Sequence, residues 1–293
     1  MRGFTLRRGR SAMSSEIRTA DVYAGSYRLR VHTSGDASAP AIVWLHGSGP
    51  GVSALSNWEH LMPRFANDYF NIAPDILGFA QSDHPDPAPV GMPAYTAVRA
   101  ASLVSLLDEF GLERAHFVGN SMGGMITLTV AQAAPDRVHR MVLMGSGGAP
   151  MPPTPDLMKL ITFYDDPTTQ AMAELLSAFV VNTEYFAGEL EAIAADRLAK
   201  AMVSEVRRSH LATFHREAGP VRFSPEELAA IPHEALVLHG REDRLIPVAA
   251  GYYLAEHLPN AQLHVLPHTG HWIQIEQAER FSALARLFLD EAR

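Results

Sequence analysis

The sequence predicts an α/β protein whose core is a doubly wound, mostly parallel β-sheet. Short apolar runs recur along the chain, several of them end in glycine-rich or acidic loops, and helical patterns separate them. Strands that alternate with helices in this way form parallel sheets with helices on both faces. With 293 residues, of which 47% are hydrophobic, the chain can bury one large core.

The predicted strands follow the apolar runs. Residues 21–33 predict a strand pair that turns at Gly25-Ser26, and further strands are expected at residues 41–45, 70–73, 115–118, 141–144, 235–238 and 263–266. The clearest helix has apolar residues three and four apart, with Gly111 placed to end it: Val98, Ala101, Val104, Leu107 and Phe110. Because such sheets bind ligands at the carboxyl ends of their strands, we expect the loops there to form the site.

Residues 149–221 interrupt the alternation of strands and helices. This segment is proline-rich at residues 150–155 and then becomes mainly helical. We therefore expect a helical cap inserted into a sheet core that comprises residues 21–148 and 222–293. Residues 1–20 are expected to be a flexible extension; the arginines among the first ten residues also suit a targeting peptide, but no sustained amphipathic pattern supports that interpretation.

Composition and charge narrow the choice of partners. The formal net charge is −8 and the sequence pI is about 5.9, with no basic stripe, so nucleic acid is not an expected partner. The chain has no cysteine, which excludes a disulfide framework and a thiol nucleophile and fits the reducing cytoplasm. No apolar run approaches the roughly 18–20 residues of a membrane span, so a membrane is not an expected partner either.

The motif Gly119-Asn120-Ser121-Met122-Gly123 carries the clearest chemistry. It follows an apolar run and precedes a helix-compatible stretch at residues 124–134, which is the strand–turn–helix context of a nucleophile elbow. Small residues are needed at positions 119 and 123, so that strand and helix can approach while the serine backbone is strained. An ordinary Gly-Ser turn, the alternative, would not require this context.

A serine hydroxyl becomes a nucleophile when a histidine base, itself oriented by a carboxylate, removes its proton. Glu242 and Asp243 follow one later strand, and His268 and His271 follow another, so the chain order is serine, acid, histidine. Asp243 and His271 are favoured because the loops Gly-Arg-Glu-Asp-Arg-Leu-Ile-Pro and Gly-His-Trp resemble the acid and histidine loops of α/β-hydrolases. Glu242 and His268 stay as alternatives.

The negative charge that develops on an attacked carbonyl oxygen needs backbone donors in fixed positions. Met122, the residue after the serine, is expected to supply one N–H group, and Ser48 in the glycine-rich loop 46–51 the other. His46 is expected to order that loop rather than to act as a second base.

Other segments of the chain add a more selective pattern: His46-Gly47-Ser48-Gly49-Pro50-Gly51 with Ser56-Asn57-Trp58, Asp75-Ile76-Leu77-Gly78-Phe79, Gly119 to Gly124, His239 to Arg244 and Gly270-His271-Trp272. In these segments the chain resembles the meta-cleavage product hydrolases of aromatic degradation, which split a carbon–carbon bond in vinylogous 1,5-diketones. The Gly-Pro-Gly extension, the asparagine before the serine and the tryptophan after the histidine are the most selective features. Ala80 departs from the pattern, because many relatives have glycine there.

The resemblance implies that the substrate is a 2-hydroxy-6-oxohexa-2,4-dienoate whose carboxylate and 2-oxygen are bound by Asn57, Asn120, Trp272, the Ser48-Gly49 backbone and a cap arginine. The sequence independently indicates Arg197, which shares a helical face with Leu190, Ile193, Ala194 and Ala201. A guanidinium on such a stripe suits a carboxylate, although an arginine stem can also pack while its head reaches solvent. Arg207 and Arg208 are weaker candidates, because their pairing indicates a solvated face.

The resemblance therefore implies hydrolysis of the C5–C6 bond by Ser121, His271 and Asp243, with no metal or organic cofactor and with a homo-oligomer as a family-level expectation. A carboxylesterase on the same triad and a non-catalytic small-molecule binder are the alternatives. The C6 substituent stays open. Four apolar cap residues are candidates for shaping its pocket, although helical core packing is the favoured role of each: Phe163, Phe179, Val180 and Phe186.

Overall fold

Eight strands form one sheet in residues 15–291, the part of the chain that this computed structural model describes. The strands are β1 (Arg18–Ala24), β2 (Tyr27–Ser34), β3 (Ala41–Leu45), β4 (Phe70–Pro74), β5 (Ala115–Asn120), β6 (Val138–Met144), β7 (Ala235–Gly240) and β8 (Ala261–Leu266). Their order across the sheet is β1-β2-β4-β3-β5-β6-β7-β8. The six strands β4, β3, β5, β6, β7 and β8 run parallel to one another, whereas β2 pairs antiparallel with both β1 and β4 at one edge.

Helices cover both faces of this sheet and also form a segment inserted between β6 and β7. They are α1 (Ala54–Trp58), α2 (Met62–Phe65), α3 (Met92–Glu109), α4 (Met122–Ala133), α5 (Pro155–Ile161), α6 (Thr169–Ala178), α7 (Leu190–Ala201), α8 (Ser204–Thr213), α9 (Pro225–Ala229), α10 (Ala249–His257), α11 (Ile273–Glu276) and α12 (Ala278–Asp290). Because side chains alternate along a strand, Val43 and Leu45 pack with α3, α4 and α10, whereas Ile42 and Trp44 pack with α1, α2 and α12. The predicted fold class, a doubly wound and mostly parallel sheet, is confirmed.

Element boundaries differ from the predicted ones in several places. The helix predicted from the Val98 pattern begins earlier, at Met92, and a proline in its first turn suits that start. The helix after Ser121 begins at Met122 rather than at residue 124. β1 begins at Arg18, which pairs with Thr33, so the final residues of the predicted extension 1–20 belong to the sheet. The extension's residues 1–14 lie outside the described residues.

The segment predicted as a cap, residues 149–221, contributes α5 to α8 between β6 and β7. Its helices share an apolar cluster of their own, which includes Leu160, Leu175 and Phe179 and also takes in Leu245 of the core, with Trp272 packed against it. The inserted segment therefore rests on the loops that follow β7 and β8. Within residues 15–291, no helix has the length and apolar character needed to cross a membrane.

Ala80 adopts a left-handed backbone conformation, with φ of 46°, in the loop between β4 and α3. A left-handed conformation costs alanine roughly 1–2 kcal/mol. Glycine avoids this cost, but the greater freedom of its unfolded chain lowers the free energy of unfolding by about 0.4–1 kcal/mol. Ala80→Gly should therefore raise the free energy of unfolding by about 0.5–1 kcal/mol in urea denaturation. Ala283→Gly, at an exposed position of α12, is the control and should lower it by about 1 kcal/mol. Equal losses in the two variants would contradict the assignment of strain to Ala80.

Candidate active site

Ser121 lies at the sharp turn between β5 and α4. Its backbone is strained, with φ of 57° and ψ of −114°. The turn is held by the Ser121 N–H group, which donates to the Met144 carbonyl at 2.9 Å, and by the Ser121 carbonyl, which accepts from Gly147 at 3.1 Å. A non-glycine residue in such a conformation indicates that the surrounding structure enforces it.

Gly119 and Gly123 allow this turn to close, as the sequence predicts. A Cβ atom at Gly119 would lie 2.4 Å from the Gly123 carbonyl carbon, and one at Gly123 would lie 2.2 Å from the Leu45 carbonyl oxygen. Any side chain at either position would push α4 away from β3 and β5. The hydroxyl of Ser121 consequently projects at the carboxyl edge of the sheet, where ligands bind in this architecture.

Asp243 and His271 form a buried pair at the same edge. Asp243 follows β7 and His271 follows β8, and His271 Nδ1 lies 2.7 Å from Asp243 Oδ2, with both side chains fully buried. Asp243 Oδ1 accepts the N–H groups of Leu245 and Ile246, each at 2.9 Å, so the carboxylate is fixed in orientation. With Nδ1–H donating to Asp243, the neutral ring of His271 presents an unprotonated Nε2. Within residues 15–291 this Nε2 has no hydrogen-bond partner, and His271 and Ser121 line the same cavity.

The alternatives Glu242 and His268 occupy different places. Glu242 is exposed and accepts the Thr269 N–H at 3.0 Å, so it connects the acid loop to the histidine loop without contacting His271. His268 is exposed, with a left-handed φ of 55°. The structure thus brings Asp243 and His271 together and leaves the two alternatives outside this pair.

A second histidine, His239, stands beside Asp243 and was not singled out by the sequence analysis. It is fully buried, its Nε2 donates to the Ile246 carbonyl at 2.9 Å, and the same Nε2 lies 3.5 Å from Asp243 Oδ2. Burial lowers the pKa of His239, which keeps the ring neutral. In the sequence His239 is the first residue of the quoted segment His239 to Arg244, near the end of a buried strand, but nothing there indicated its contact with Asp243.

Ser48 and Met122 flank Ser121, as the sequence predicts for two backbone donors. Among the described residues, neither backbone N–H group has an acceptor: Met122 begins α4, where N–H groups lack helical partners, and Ser48 lies in the loop after β3. His46 orders this loop, because its Nδ1–H donates to the Gly47 carbonyl at 2.7 Å and its Nε2 accepts the Ile76 N–H at 3.0 Å. Burial lowers the pKa of His46 to about 3, so it stays neutral.

A small cavity of about 10 Å³ beside Ser121, with polar side chains among its lining, includes all five predicted substrate-binding residues. Asn120 is oriented by its side-chain N–H, which donates to the Met144 carbonyl at 3.2 Å. The Asn57 side-chain amide donates to Asn120 Oδ1 at 3.5 Å, and Gly49, Arg197 and Trp272 line the same cavity. The complete lining is Gly47, Ser48, Gly49, Val52, Asn57, Asn120, Ser121, Phe179, Arg197, His271 and Trp272.

Arg197 reaches this cavity from α7. Its Nε donates to the Pro50 carbonyl at 2.8 Å, and its Nη2 would lie 3.1 Å from a Cβ atom at Gly49. The side chain is only 9% exposed and, within residues 15–291, has no carboxylate within 4.0 Å. Burial lowers the pKa of Arg197 to about 10, so the guanidinium remains charged at neutral pH.

The helical face predicted for Arg197 is narrower than the sequence pattern indicates. Ala194 and Ala201 are buried beside it, but Ile193 is 37% exposed, so that part of the prediction is wrong. The period of a helix defines an angular face, whereas the packing of α7 on its neighbours decides how much of the face is covered. Arg207 is exposed, and Arg208 donates to the His84 carbonyl away from the cavity.

Arg99 is a further buried guanidinium that the sequence analysis missed. It is inaccessible to solvent, donates to the Leu77 carbonyl and to Thr213 Oγ1 of α8, and lies 3.4 Å from Met122 Sδ. Among the described residues no carboxylate lies within 4.0 Å of Arg99, and aromatic rings of Phe79 and Tyr95 face its charge. Met122 and Thr213 line a different, larger cavity, so Arg99 lies behind that cavity and not beside the one that Arg197 lines.

A larger cavity of about 330 Å³ opens on the other side of Ser121, between the core and the inserted segment. Ser48 and Ser121 line both cavities, so the serine stands where they meet. Apolar side chains dominate the larger one, among them Met122, Met125, Leu157, Ile161, Phe214 and Leu245. Of the four apolar cap residues singled out from the sequence, none lines this cavity; Phe179 lines the small one, and all four pack in the cluster of the inserted segment.

Comparison with known proteins agrees with this geometry. The model of the alpha/beta hydrolase fold matches residues 40–278. The 2-hydroxymuconate semialdehyde hydrolase of Pseudomonas sp. (strain CF600) is 37% identical over 276 residues, which are 93% of this chain and 94% of that relative. The 2-hydroxy-6-oxo-6-phenylhexa-2,4-dienoate hydrolase of Burkholderia cepacia is 33% identical over 90% of this chain and 93% of its own.

A solved structure extends the similarity to three dimensions. The 2-hydroxy-6-oxo-6-phenylhexa-2,4-dienoate hydrolase from Rhodococcus sp. strain RHA1 matches with a TM-score of 0.90 at 37% sequence identity, over 94% of this chain and 99% of that one. The chain therefore belongs to the α/β-hydrolase fold family and, within it, to the meta-cleavage product hydrolases.

Proposed function

We propose that the protein hydrolyses the C5–C6 carbon–carbon bond of a 2-hydroxy-6-oxo-2,4-dienoate. The observation that carries this proposal is Arg197, a buried guanidinium that has no carboxylate partner in residues 15–291 and lines the polar cavity beside Ser121. A buried charge without a partner is unfavourable unless a ligand supplies the opposite charge. A carboxylate at one end of the substrate would do so, because the guanidinium fork matches its two oxygens.

The names of two relatives support this substrate class. One is a hydrolase of 2-hydroxymuconate semialdehyde, and another of 2-hydroxy-6-oxo-6-phenylhexa-2,4-dienoate. We infer that the carboxylate and 2-oxygen of the dienoate bind in the small cavity with Arg197, Asn57, Asn120, Trp272 and the Gly49 backbone. The C6 carbonyl then lies at Ser121, and the acyl group beyond it enters the larger cavity.

The reaction that we propose begins when the dienol tautomerises to its keto form. This step places the proton of the 2-hydroxyl group on C5 and leaves the C6 carbonyl open to attack. Ser121 Oγ bonds to C6 while His271 Nε2 takes its proton, and Asp243 holds the resulting imidazolium. The N–H groups of Ser48 and Met122 donate to the oxyanion. When the C5–C6 bond breaks, its electron pair passes to the dienoate fragment, and a proton from His271 completes the 2-hydroxypenta-2,4-dienoate.

The second half of the cycle removes the acyl group from Ser121. His271, neutral again, takes a proton from water as that water attacks the acyl carbonyl, and the serine then leaves with the proton. The products are a carboxylic acid and free enzyme. Each step uses groups that line the two cavities, together with Asp243, which contacts His271.

The apolar character of the larger cavity bears on the acyl group. Most of the cavity lining is apolar, including Met125, Leu157 and Phe214, and its two arginines, Arg216 and Arg222, are exposed residues. Burial of an apolar surface would therefore supply most of the binding energy. We propose a bulky apolar group at C6, of aryl or branched alkyl type.

We further propose that the enzyme works in the cytoplasm, which fits a chain without cysteine, and as a homo-oligomer, as in its family.

The proposal predicts the order of activity in a panel of dienoates that carry phenyl, methyl or hydrogen at C6, followed by loss of their visible absorbance. We expect kcat/KM to be highest for the phenyl compound, because its ring fills the apolar cavity, and we expect no turnover by Ser121→Ala. A 4-nitrophenyl ester serves as the competing substrate. Fast ester hydrolysis with unchanged dienoate spectra would identify a carboxylesterase, and a folded protein that turns over neither compound and resists a fluorophosphonate would be a binder.

Gly145 provides a test of the His271–Asp243 pair. A Cβ atom there would lie 3.0 Å from His271 Nδ1 and 3.2 Å from Asp243 Oδ2. Gly145→Ala should displace the imidazole and lower kcat about 10²-fold, the size of effect that a shift of about 1 Å produces at a catalytic group. Gly188→Ala is the matched control, because Gly188 also has positive φ but nothing within 4 Å of the added atom. Similar kcat values for the two variants would refute the proposed role of the pair.

The role of Arg197 can be measured without turnover in the Ser121→Ala background, which should still bind the coloured dienoate. Arg197→Gln should raise the Kd of the phenyl dienoate about 10- to 100-fold, the loss expected for hydrogen bonds to a charged group. Arg207→Gln, an exposed arginine of the next helix, should leave Kd unchanged. An unchanged Kd in Arg197→Gln would reject carboxylate recognition by this residue.

A further inference from the structure

Glu276, the last residue of α11, has a buried carboxylate that neither the sequence motifs nor the proposed reaction uses. The residue is 7% exposed. Its Oε2 accepts the Gly270 N–H at 2.6 Å, and its Oε1 accepts the N–H groups of Val181 at 2.7 Å and Asn182 at 3.3 Å. Within residues 15–291 no cationic side chain lies within 4.0 Å of it. Backbone donors therefore take the place of a counter-ion.

These donors belong to two different parts of the fold. Gly270 directly precedes His271, whereas Val181 and Asn182 belong to the inserted segment, just after α6. One carboxylate therefore joins the loop of the catalytic histidine to the segment that covers the site. We call this contact the Glu276 bridge.

A second set of hydrogen bonds runs parallel to the Glu276 bridge. The carbonyl of Phe179 accepts the N–H groups of both His271, at 2.8 Å, and Trp272, at 3.0 Å. The Phe179 ring stacks on the Trp272 ring, with centroids 4.5 Å apart and planes 13° apart. Residues 179–182 and 270–272 therefore form one hydrogen-bonded unit, and Phe179, His271 and Trp272 present its inner side to the polar cavity.

Gly270 shows how close this contact is. A Cβ atom there would lie 2.8 Å from the Phe179 carbonyl oxygen and 3.1 Å from Glu276 Oε2. Both segments therefore approach each other through backbone atoms, and a change in the position of one has to be transmitted to the other. A contact through flexible side chains would lack this property.

We propose that Glu276 is a positioning residue, which aligns His271 with Ser121 only when residues 179–182 of the inserted segment are seated on the core. The inference rests on the proposed triad. It gives the covering segment a second role besides forming the cavity wall: its backbone holds the base in place. Substrate that draws Phe179 and Trp272 around its polar end would thereby also complete the alignment of His271.

The test compares Glu276→Gln with Glu279→Gln, a control at a glutamate that is 87% exposed and lies on the following helix. Glutamine retains the shape of Glu276 but cannot accept hydrogen bonds at both of its terminal atoms. We expect kcat for the phenyl dienoate to fall at least about tenfold with KM within about threefold of wild type, since alignment of the base matters chiefly in the transition state. The rate of fluorophosphonate labelling of Ser121 should fall by a similar factor, and Glu279→Gln should match wild type in both assays.

A purely structural anchor would behave differently. Glu276→Gln would then lower the melting temperature while kcat, KM and the labelling rate of the folded protein stayed at wild-type values, and this result would overturn the proposal. If Glu276→Gln does not fold, Glu276→Asp provides the test. The aspartate side chain is shorter and cannot reach both segments. Wild-type kcat and labelling rate in that variant would therefore also overturn the proposal. Fluorophosphonate labelling does not depend on the dienoate, so a wild-type protein that is labelled but leaves dienoates intact refutes the proposed substrate and not the role of Glu276.

Discussion

The rest of the site depends on one close backbone contact, the approach of α4 to β3 and β5 at the serine turn. Gly119 and Gly123 leave no room for a Cβ atom, and Ser121 between them adopts a strained backbone. This packing fixes where the serine hydroxyl stands relative to the first N–H group of α4. The loops after β3, β7 and β8 then surround that position, because parallel strands end at the same edge of the sheet.

Buried charge distinguishes the two cavities that meet at Ser121. Arg197 borders the polar cavity and Arg99 lies behind Met122, and neither has a carboxylate within 4.0 Å in residues 15–291. Two buried histidines, His46 near the arginines and His239 beside Asp243, have pKa values lowered by burial and add no competing positive charge at neutral pH. Arg197 is therefore the buried guanidinium that lines the small cavity, whereas the larger cavity is mainly apolar, with the exposed Arg216 and Arg222 among its lining residues.

The inserted segment contributes more than a cover. Its apolar cluster includes Leu245, which lies two residues after Asp243, and its backbone binds the loop of His271 through Phe179. The carboxylate of Glu276 strengthens the same contact. The acid loop and the histidine loop thus both contact the inserted segment, which also closes the cavities. A movement of this segment on substrate entry would therefore change the position of His271.

The sequence by itself determined the fold class and the serine turn, because strand and helix periodicity and the glycines around Ser121 are local constraints that a short stretch of chain must satisfy. It also indicated Arg197 from helical spacing, although the exposure of Ile193 shows that periodicity alone does not define the covered face. Only the tertiary structure decided which acid meets His271, since Glu242 and Asp243 are adjacent in the chain and differ only in where β7 and β8 direct them. Arg99, His239 and Glu276 escaped the sequence analysis for the same reason: each owes its role to burial or to partners that folding brings together, and no local pattern encodes those contacts.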